Sequence, residues 1–509
     1  MGTYLKKKAF PLLALSVVVV SVSMFFSFGG REAVSQRFKK RTTMSMIRTL
    51  DETVRLAEKN FYEDVDREKL YEGAIQGALS ALGDPYSFYQ SPQEQQYEQE
   101  TLIRGKFGGL GITIYEDSGL VKIARPLPNT PAMRAGLHAG DYIVKVEGDP
   151  VSIGGTTGVT LNDIVTKIRG EIGTDITITI QRRSVKEPFD VTLTRAEIKI
   201  SSVEQTIIDG SIGYMRLNRF TGLTDKEFRQ AMQEFFPNGK IKDVKSLILD
   251  LRYNPGGLLV SANSVTDAFL SGGLIVSTKG RLAQFNREHL ASSRTICPLN
   301  VDVIVLINEY SASGSEIVAG ALKDHQRALL VGEKTYGKGV VQQRFSLESG
   351  GAVSLTISTY YTPNDVSINK KGIEPHIKVT PLQLETDVAQ MRQKMRLGRY
   401  VNNFVINWIE EEEKSLGSVP KNFSPFVSKM PDLMQQLAEN EIELSEELVR
   451  LEAERIFNDN VGIYQLIDRE NDRQLQEAIL LIQQEKVQSS IQEYSTNTSQ
   501  TTDDSQSKL

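Results

Sequence analysis

Between about residue 198 and residue 380 the chain alternates short apolar runs with amphipathic stretches, and this alternation restricts the available folds more than any other feature. VKSLILDLR and VDVIVLIN are nearly continuous apolar runs, the pattern of strands covered on both faces. IGYMRLNRF, GLIVSTKG and VSLTISTYYTP read as further strands. KEFRQAMQEFF, LVSANSVTDAFL and SEIVAGALKDH carry apolar residues three and four apart and read as helices. Strands joined by helices in this order imply an α/β core with crossover connections.

The flanking regions have other textures. Residues 31–103 read as helical, through MSMIRTLDETVRLAEKNFYE and YEGAIQGALSALGDPYSFY, the latter stopping at the turn signal Gly83-Asp84-Pro85. Such helices suit a packing or dimerisation collar. Residues 104–197 are short strands and glycines, a compact β-rich unit with one or two helices. Residues 381–486 form a charged helical extension, and 487–509 is polar enough to be expected disordered. Residues 1–30 contain Lys6, Lys7 and Lys8 followed by AFPLLALSVVVVSVSMFFSF, twenty residues without a charge. As a helix these span about 30 Å, one hydrocarbon core. The expectation is an uncleaved signal-anchor in the cell inner membrane, with a cleaved secretory signal as the alternative. Both place the remainder outside the cytoplasm, in the periplasm.

Composition excludes several classes. A net charge of −5 with both signs interspersed argues against a nucleic-acid binder. One cysteine, Cys297, permits no internal disulfide and no thiolate cluster, and four unpaired histidines make a zinc site improbable. No cofactor is expected.

In the β-rich unit, Phe107-Gly108-Gly109-Leu110-Gly111-Ile112 leads straight into a strand. Successive N–H groups of such a turn, here Gly109, Leu110 and Gly111, can converge on a carboxylate. The strand beginning at Ile112 can pair with an extended peptide. A helix beginning near Leu161 would supply the other wall, with Leu161, Ile164, Val165 and Ile168 receiving the last side chain. With AMRAGLHAGDYIVKVEGDPV following in order, the unit resembles a PDZ domain. Arg169 ends that helix, either as a surface residue or as a partner for an acid.

The stretch from Asn308 to Gln343, NEYSASGSEIVAGALKDHQRALLVGEKTYGKGVVQQ, holds the candidate chemistry. Ser311, Ser313 and Ser315 surround the start of a helix, where serine is also a favoured cap. Unpaired N–H groups at that helix end suit an oxyanion. The loop DLRYNPGG can contribute a second donor. A nucleophilic serine needs a base. His325 sits twelve residues after Ser313, about 18 Å along the helix, too far to reach back. The lysines Lys323, Lys334 and Lys338 are the other candidates. Lys338 is flanked by glycines that permit tight packing, whereas Lys334 follows an acid and suits solvent. Gln342 lies four residues after Lys338 and on a strand would share its face.

SASGSEIVAGALKD, GEKTYGKGVVQ, DLRYNPGG and YYTPNDVSINKKGIEP, with the PDZ-like unit upstream, resemble the carboxy-terminal processing peptidases, also called tail-specific proteases. The likeness covers roughly residues 45–380. It implies a multidomain α/β protease core, a crotonase/ClpP-like αβ spiral at 198–380, with an inserted PDZ domain and flanking helical regions. It implies Ser313 as nucleophile, Lys338 as general base and Gln342 as its support. Gly314 and either Gly256 or Gly257 would form the oxyanion hole. The implied partners are polypeptide substrates captured by their C-terminal tails, while the helices at 42–99 and after 381 suggest a homodimer or packing within the chain, and the sequence leaves open whether an adaptor lipoprotein is required. An inactive PDZ scaffold that captures C-termini is the rival reading. Three positions depart from the family pattern: Tyr253, Gly314 and His376.

Overall fold

The computed structural model describes residues 42–506, apart from 118, 128, 139, 152–160, 183–184, 200, 349, 382–385, 418–419, 462–465 and 470–471. The chain divides into two compact units, one up to Tyr89 and one from Gln90 onward. In the first, helices Thr43–Asn60 and Arg67–Ser80 follow the expected periodicity. Thr42 and Asp66 cap them, accepting from Ser45 N–H and from Glu68 and Lys69 N–H. Tyr71 OH donates to Asp51 Oδ1 at 2.9 Å and holds the pair together.

The expected membrane anchor is corrected. Among the described residues no helix is long and apolar enough to cross a membrane. Residues 9–28, on which that expectation rested, lie outside the described residues.

The second unit is built on a six-stranded sheet in the order Val203–Ile208, Ile212–Leu217, Ser246–Asp250, Asp302–Ile307, Leu329–Gly332 and Ile377–Lys378. The first pair is antiparallel and the rest are parallel. Side chains alternate across it with period two. Leu247, Leu249, Val303, Val305 and Ile307 face one core, which helices Thr224–Phe235, Leu259–Asp267 and Gly314–Asp324 cover. Tyr214, Ile248, Ile304, Leu306 and Val331 face a second core. An antiparallel sheet, Leu274–Gly280 with Arg287–Leu290 and Ala352–Tyr361 with Val340–Ser346, adjoins the first. Cys297 is fully buried beneath Arg327.

The second core corrects the expectation for the C-terminus. Helix Arg473–Gln483 places Leu475, Ala478 and Ile479 on it, and Val487 and Ile491 continue the coverage. The stretch expected to be disordered from residue 487 is therefore helical over Val487–Gln506, seated by apolar residues four apart. The intervening helices Thr386–Leu397, Tyr400–Leu416, Met430–Glu439 and Glu446–Val461 enclose a separate core around Trp408, Phe423, Phe426 and Phe457. The β-rich unit has its own core of Leu110, Val121, Ile123, Ile143, Ile176 and Ile178.

His376 sits at the seam between the sheet and the last helix. Its Nδ1 accepts from Leu330 N–H at 2.8 Å, and its ring meets Tyr494 edge-on at 4.7 Å. Burial, and then the charge of Lys323, lowers its pKa to about 4. The unfolded chain takes up this proton near pH 6.5, so stability is complete above that pH and falls as pH drops toward 4. Urea denaturation at pH 7 and pH 4.5 should show a loss on the order of 2–3 kcal/mol from this residue. His376→Asn, which retains an acceptor, should lose correspondingly less over that interval.

Candidate active site

The carboxyl ends of the parallel strands converge, as ligand sites in open α/β sheets do. Three loops meet there, following Asp250, Ile307 and Gly332. The loop from Asn308 reaches Ser313, whose φ of 54° and ψ of −109° lie in a region that side-chain-bearing residues rarely adopt. Helix Gly314–Asp324 begins at the next residue.

The three serines separate by what their hydroxyls do. Ser311 Oγ donates to Leu251 O at 2.8 Å, and Ser315 Oγ donates to Asn254 O at 2.9 Å. Both serines are wholly buried and brace one loop on the other, while Ser313 retains 9% exposure. Asn308 adds a second brace, its Oδ1 accepting from Tyr253 N–H at 3.0 Å and Tyr310 N–H at 3.2 Å.

The glycines follow from close approach. A Cβ on Gly256 would lie 2.7 Å from Ser313 Cβ and 2.8 Å from Gly314 N, so the DLRYNPGG loop passes directly against the serine. Gly256 N–H is already committed, donating to Asn254 Oδ1 at 2.9 Å. Gly314 N–H lies in the first turn of its helix, where no intrahelical acceptor exists. Gly257 N–H meets no acceptor among the described residues. A Cβ on Gly314 would crowd Phe220 at 3.0 Å and Ala262 at 3.3 Å, so the start of the helix is tightly packed.

Of the lysines, Lys334 is exposed and pairs with Glu374 at 2.7 Å. Lys323 lies at the far end of the helix and donates to Glu374 O at 2.6 Å. His325 caps that same end, with Nε2 2.7 Å from Leu274 O. Lys338 is half-buried in a turn between Gly337 and Gly339, where added Cβ atoms would meet Gly372 N at 3.1 Å and Asn369 N at 2.1 Å. The segment Asn369–Gly372 thus presses on this turn, and Lys370 N–H donates to Gly337 O at 2.8 Å.

One residue not singled out in the sequence joins the serine to the lysine. Glu316 is wholly buried at the third position of the helix. Its Oε2 accepts from Ser313 N–H at 2.8 Å and from Lys338 N–H at 2.9 Å. Its Oε1 accepts from Thr335 Oγ1 at 2.6 Å and Gly337 N–H at 2.7 Å. Burial pushes this carboxyl above its ordinary range, and the hydrogen bonds from Thr335, Ser313, Gly337 and Lys338 pull the other way. The signal was present: Ser313-Gly314-Ser315-Glu316 fits the S-x-x-E capping pattern.

Gln342 falls differently from the shared-face expectation. Lys338 precedes the strand Val340–Ser346, and a bulge at Val341/Gln342 breaks the period-two relation. The Gln342 amide donates to Thr356 Oγ1 at 3.3 Å across the ladder. The expected groove of the β-rich unit is also divided. Leu110, Ile164 and Ile168 turn into the unit's own core, leaving Leu161, Val165 and Ile112 half-buried. Gly109 pairs with Ala196, and Gly111 has a φ of 76° against Thr130. Strand Ile112–Asp117 forms an edge of its sheet, paired with Leu120–Pro126. Arg169 is sandwiched over the rings of Phe107 and Tyr97 at 3.8 and 4.5 Å.

The carboxyl end of the α/β sheet thus brings a mostly buried serine at a glycine-lined helix start close to a glycine-flanked lysine. Residues 211–379 match the family model described as Peptidase family S41, 122–182 match a PDZ domain, and 27–93 match the activating protease CtpB N-terminal domain. A carboxy-terminal-processing protease of Bartonella bacilliformis is 43% identical over 314 residues, covering 62% of this chain and 70% of that one. The carboxy-terminal processing protease CtpB of Bacillus subtilis is 32% identical over 389 residues, covering 75% and 77%. A solved photosystem II D1 C-terminal processing protease aligns over 67% of this chain and 94% of that chain, with 28% identity and a TM-score of 0.40. The chain belongs to peptidase family S41 and is a C-terminal processing serine protease with a PDZ domain.

Replacing Glu316 by Gln leaves two of its four donors facing an amide NH2, whichever oxygen is lost. At 1–3 kcal/mol per unsatisfied donor, the cost is about 2–6 kcal/mol, shared between stability and catalysis. Glu316→Gln should lower kcat on casein by about 10²-fold with a smaller change in KM, and urea denaturation should show reduced stability.

Proposed function

We propose that Ser313 and Lys338 form a catalytic dyad. The observation that carries this reading is the single oxygen, Glu316 Oε2, that accepts from the backbone N–H of both residues and so keeps their backbone nitrogens within two hydrogen-bond lengths of each other. In this reading the uncharged Lys338 amine removes the Ser313 hydroxyl proton as the oxygen attacks a peptide carbonyl. The C–N bond breaks as the ammonium returns its proton to the leaving amine. Water then hydrolyses the acyl-enzyme by the same route. The N–H groups of Gly314 and Gly257 stabilise the oxyanion, since Gly256 N–H already has an acceptor. Gln342 supports the lysine side of the site through its strand rather than from a shared face. Ser313→Ala and Lys338→Ala should each reduce cleavage of casein by at least about 10³-fold while circular dichroism stays native. Retained turnover in either variant overturns the dyad.

The PDZ domain captures substrate tails in this reading. Strand Ile112–Asp117, at the end of its sheet's order among the described residues, accepts an extended C-terminus, the Gly109–Gly111 turn faces its carboxylate, and Leu161 and Val165 form the wall for its last side chain. Fluorescence polarisation should show an apolar-ended peptide binding with a free C-terminus, and binding on the order of tenfold more weakly when amidated or offered to Val165→Asp. Equal binding of the free and amidated peptides would exclude tail recognition.

A further inference from the structure

The DLRYNPGG loop leaves the sheet at Arg252. Leu251 still pairs with the neighbouring strand, its N–H donating to Leu306 O at 2.9 Å, whereas Tyr253 already has a φ of 60°. The Arg252 side chain is buried, and each of the five N–H groups of its guanidinium has an acceptor. Along one edge, Nε donates to Asp250 Oδ1 at 3.0 Å and Nη2 to Asp250 Oδ2 at 2.7 Å. Along another, Nη1 and Nη2 donate to Asp472 Oδ1 and Oδ2, each at 2.6 Å, and Nη1 also reaches Gln474 Oε1 at 3.1 Å. The two acids have different origins. Asp250 ends the same strand two residues earlier and moves with Arg252. Asp472 caps helix Arg473–Gln483, which Leu475, Ala478 and Ile479 seat on the far face of the sheet, so its position is set independently.

A planar guanidinium paired along one edge can pivot about that edge, and one paired along two edges cannot. A cavity of about 250 Å³, lined by Arg216, Tyr253, Asp468 and Arg473 among others, lies beside these ion pairs. It gives a guanidinium released by Asp472 both water and room to swing. Tyr253 is the next residue along the chain and would move with it, pulling its N–H from Asn308 Oδ1. Gly257 follows four residues later. We propose that Asp472 is a positioning residue for catalysis: by closing the second edge of Arg252 it fixes the DLRYNPGG loop, and with it the Gly257 N–H, against Ser313. The proposal rests on the reading of Gly257 as an oxyanion donor given above. It extends the machinery beyond residues 211–379, the part that matches the peptidase family, into the returning C-terminal segment. A donor that shifts by a fraction of a hydrogen-bond length loses much of its effect on the rate. The loss falls on kcat rather than KM, because the donor acts on charge that develops only after the substrate is bound.

The test is steady-state cleavage of casein by the full chain, with folding checked by circular dichroism. Asp472→Asn keeps the shape and the helix cap, since asparagine caps as well as aspartate, and removes only the charge that pairs with Arg252. It should lower kcat by about tenfold and change KM by less than about twofold. Asp472→Glu, which restores a carboxylate, should recover most of that loss. Arg469→Ala is the control. It breaks an exposed tie of the same segment, Arg469 to Asp209 at 2.8 Å, which does not touch the loop, and it should leave kcat unchanged. Arg252→Lys keeps the charge but lacks the fork that grips two acids, so it should lower kcat as Asp472→Asn does, and it decides the matter if Asp472→Asn fails to fold. Combining the two should lower kcat no more than about twofold beyond the worse single variant, because both act through one contact. A folded Asp472→Asn with wild-type kcat overturns the proposal, as does an equal loss in Arg469→Ala, which would mean a general loosening. Cleavage that survives Ser313→Ala overturns the dyad instead, a separate outcome read from a separate variant.

Discussion

The Glu316 carboxylate is the interaction on which the junction of the serine and lysine segments depends. It has no solvent exposure, and burying a charge of this kind costs several kcal/mol unless hydrogen bonds replace its water. Four donors do so, from Ser313, Thr335, Gly337 and Lys338. Charge-assisted bonds contribute about 1.5–3 kcal/mol each, enough to offset the desolvation. The same bonds fix two backbone segments that the sheet alone does not join. They also hold Ser313 in a conformation whose strain is about 1–3 kcal/mol. A carboxylate that accepts only backbone and hydroxyl donors positions the Ser313 and Lys338 backbones without forming an ion pair with either.

A second buried carboxylate ties the C-terminal helices into the same sheet. Asp250 is wholly buried at the end of its strand and accepts from Tyr214 OH at 2.6 Å and Arg252 Nη2 at 2.7 Å. Arg252 also donates to both oxygens of Asp472 at 2.6 Å. Asp472 in turn caps helix Arg473–Gln483, accepting from Leu475 N–H at 3.0 Å. The first and third residues of DLRYNPGG thus hold a helix more than two hundred positions away, while the glycines of the motif line the serine. The C-terminal region is accordingly two structures. The helices from Thr386 to Val461 enclose their own aromatic core, and the chain then returns to complete the peptidase sheet.

Much of this was legible in the residues. VKSLILDLR and VDVIVLIN became the central parallel strands because unbroken apolar runs fit only a sheet covered on both faces. Lys338 could be favoured among the lysines because glycines beside it mark close backbone approach, whereas Ser313 was separated from Ser311 and Ser315 only by the family resemblance. Gln342 shows the limit of a periodicity argument, since one bulge removes the parity on which it rested. Ile164 and Ile168 show another: four apolar residues on one short helix cannot all face a groove when the unit must also fill its own core. The destination of Leu475, Ile479 and Val487 was not legible at all. Their amphipathic spacing says that they need a partner surface, and nothing local says which one.

The loops are rigid for reasons independent of the helices around them. Asn308 Oδ1 accepts from Tyr253 and Tyr310, so one side chain clamps the DLRYNPGG loop to the serine loop. The two tyrosine rings stack at 5.3 Å and 17°, although both are largely exposed. Tyr253 holds this place with a φ of 60°, which an unconstrained tyrosine would avoid. Ala312 N–H donating to Asn254 O and Ser311 Oγ donating to Leu251 O complete the brace. Donors aimed at a developing charge contribute most when they need not reorganise during the reaction. Under the proposed mechanism that condition would be met by side chains from the strand ends themselves, because the geometry of these loops is inherited from the sheet register.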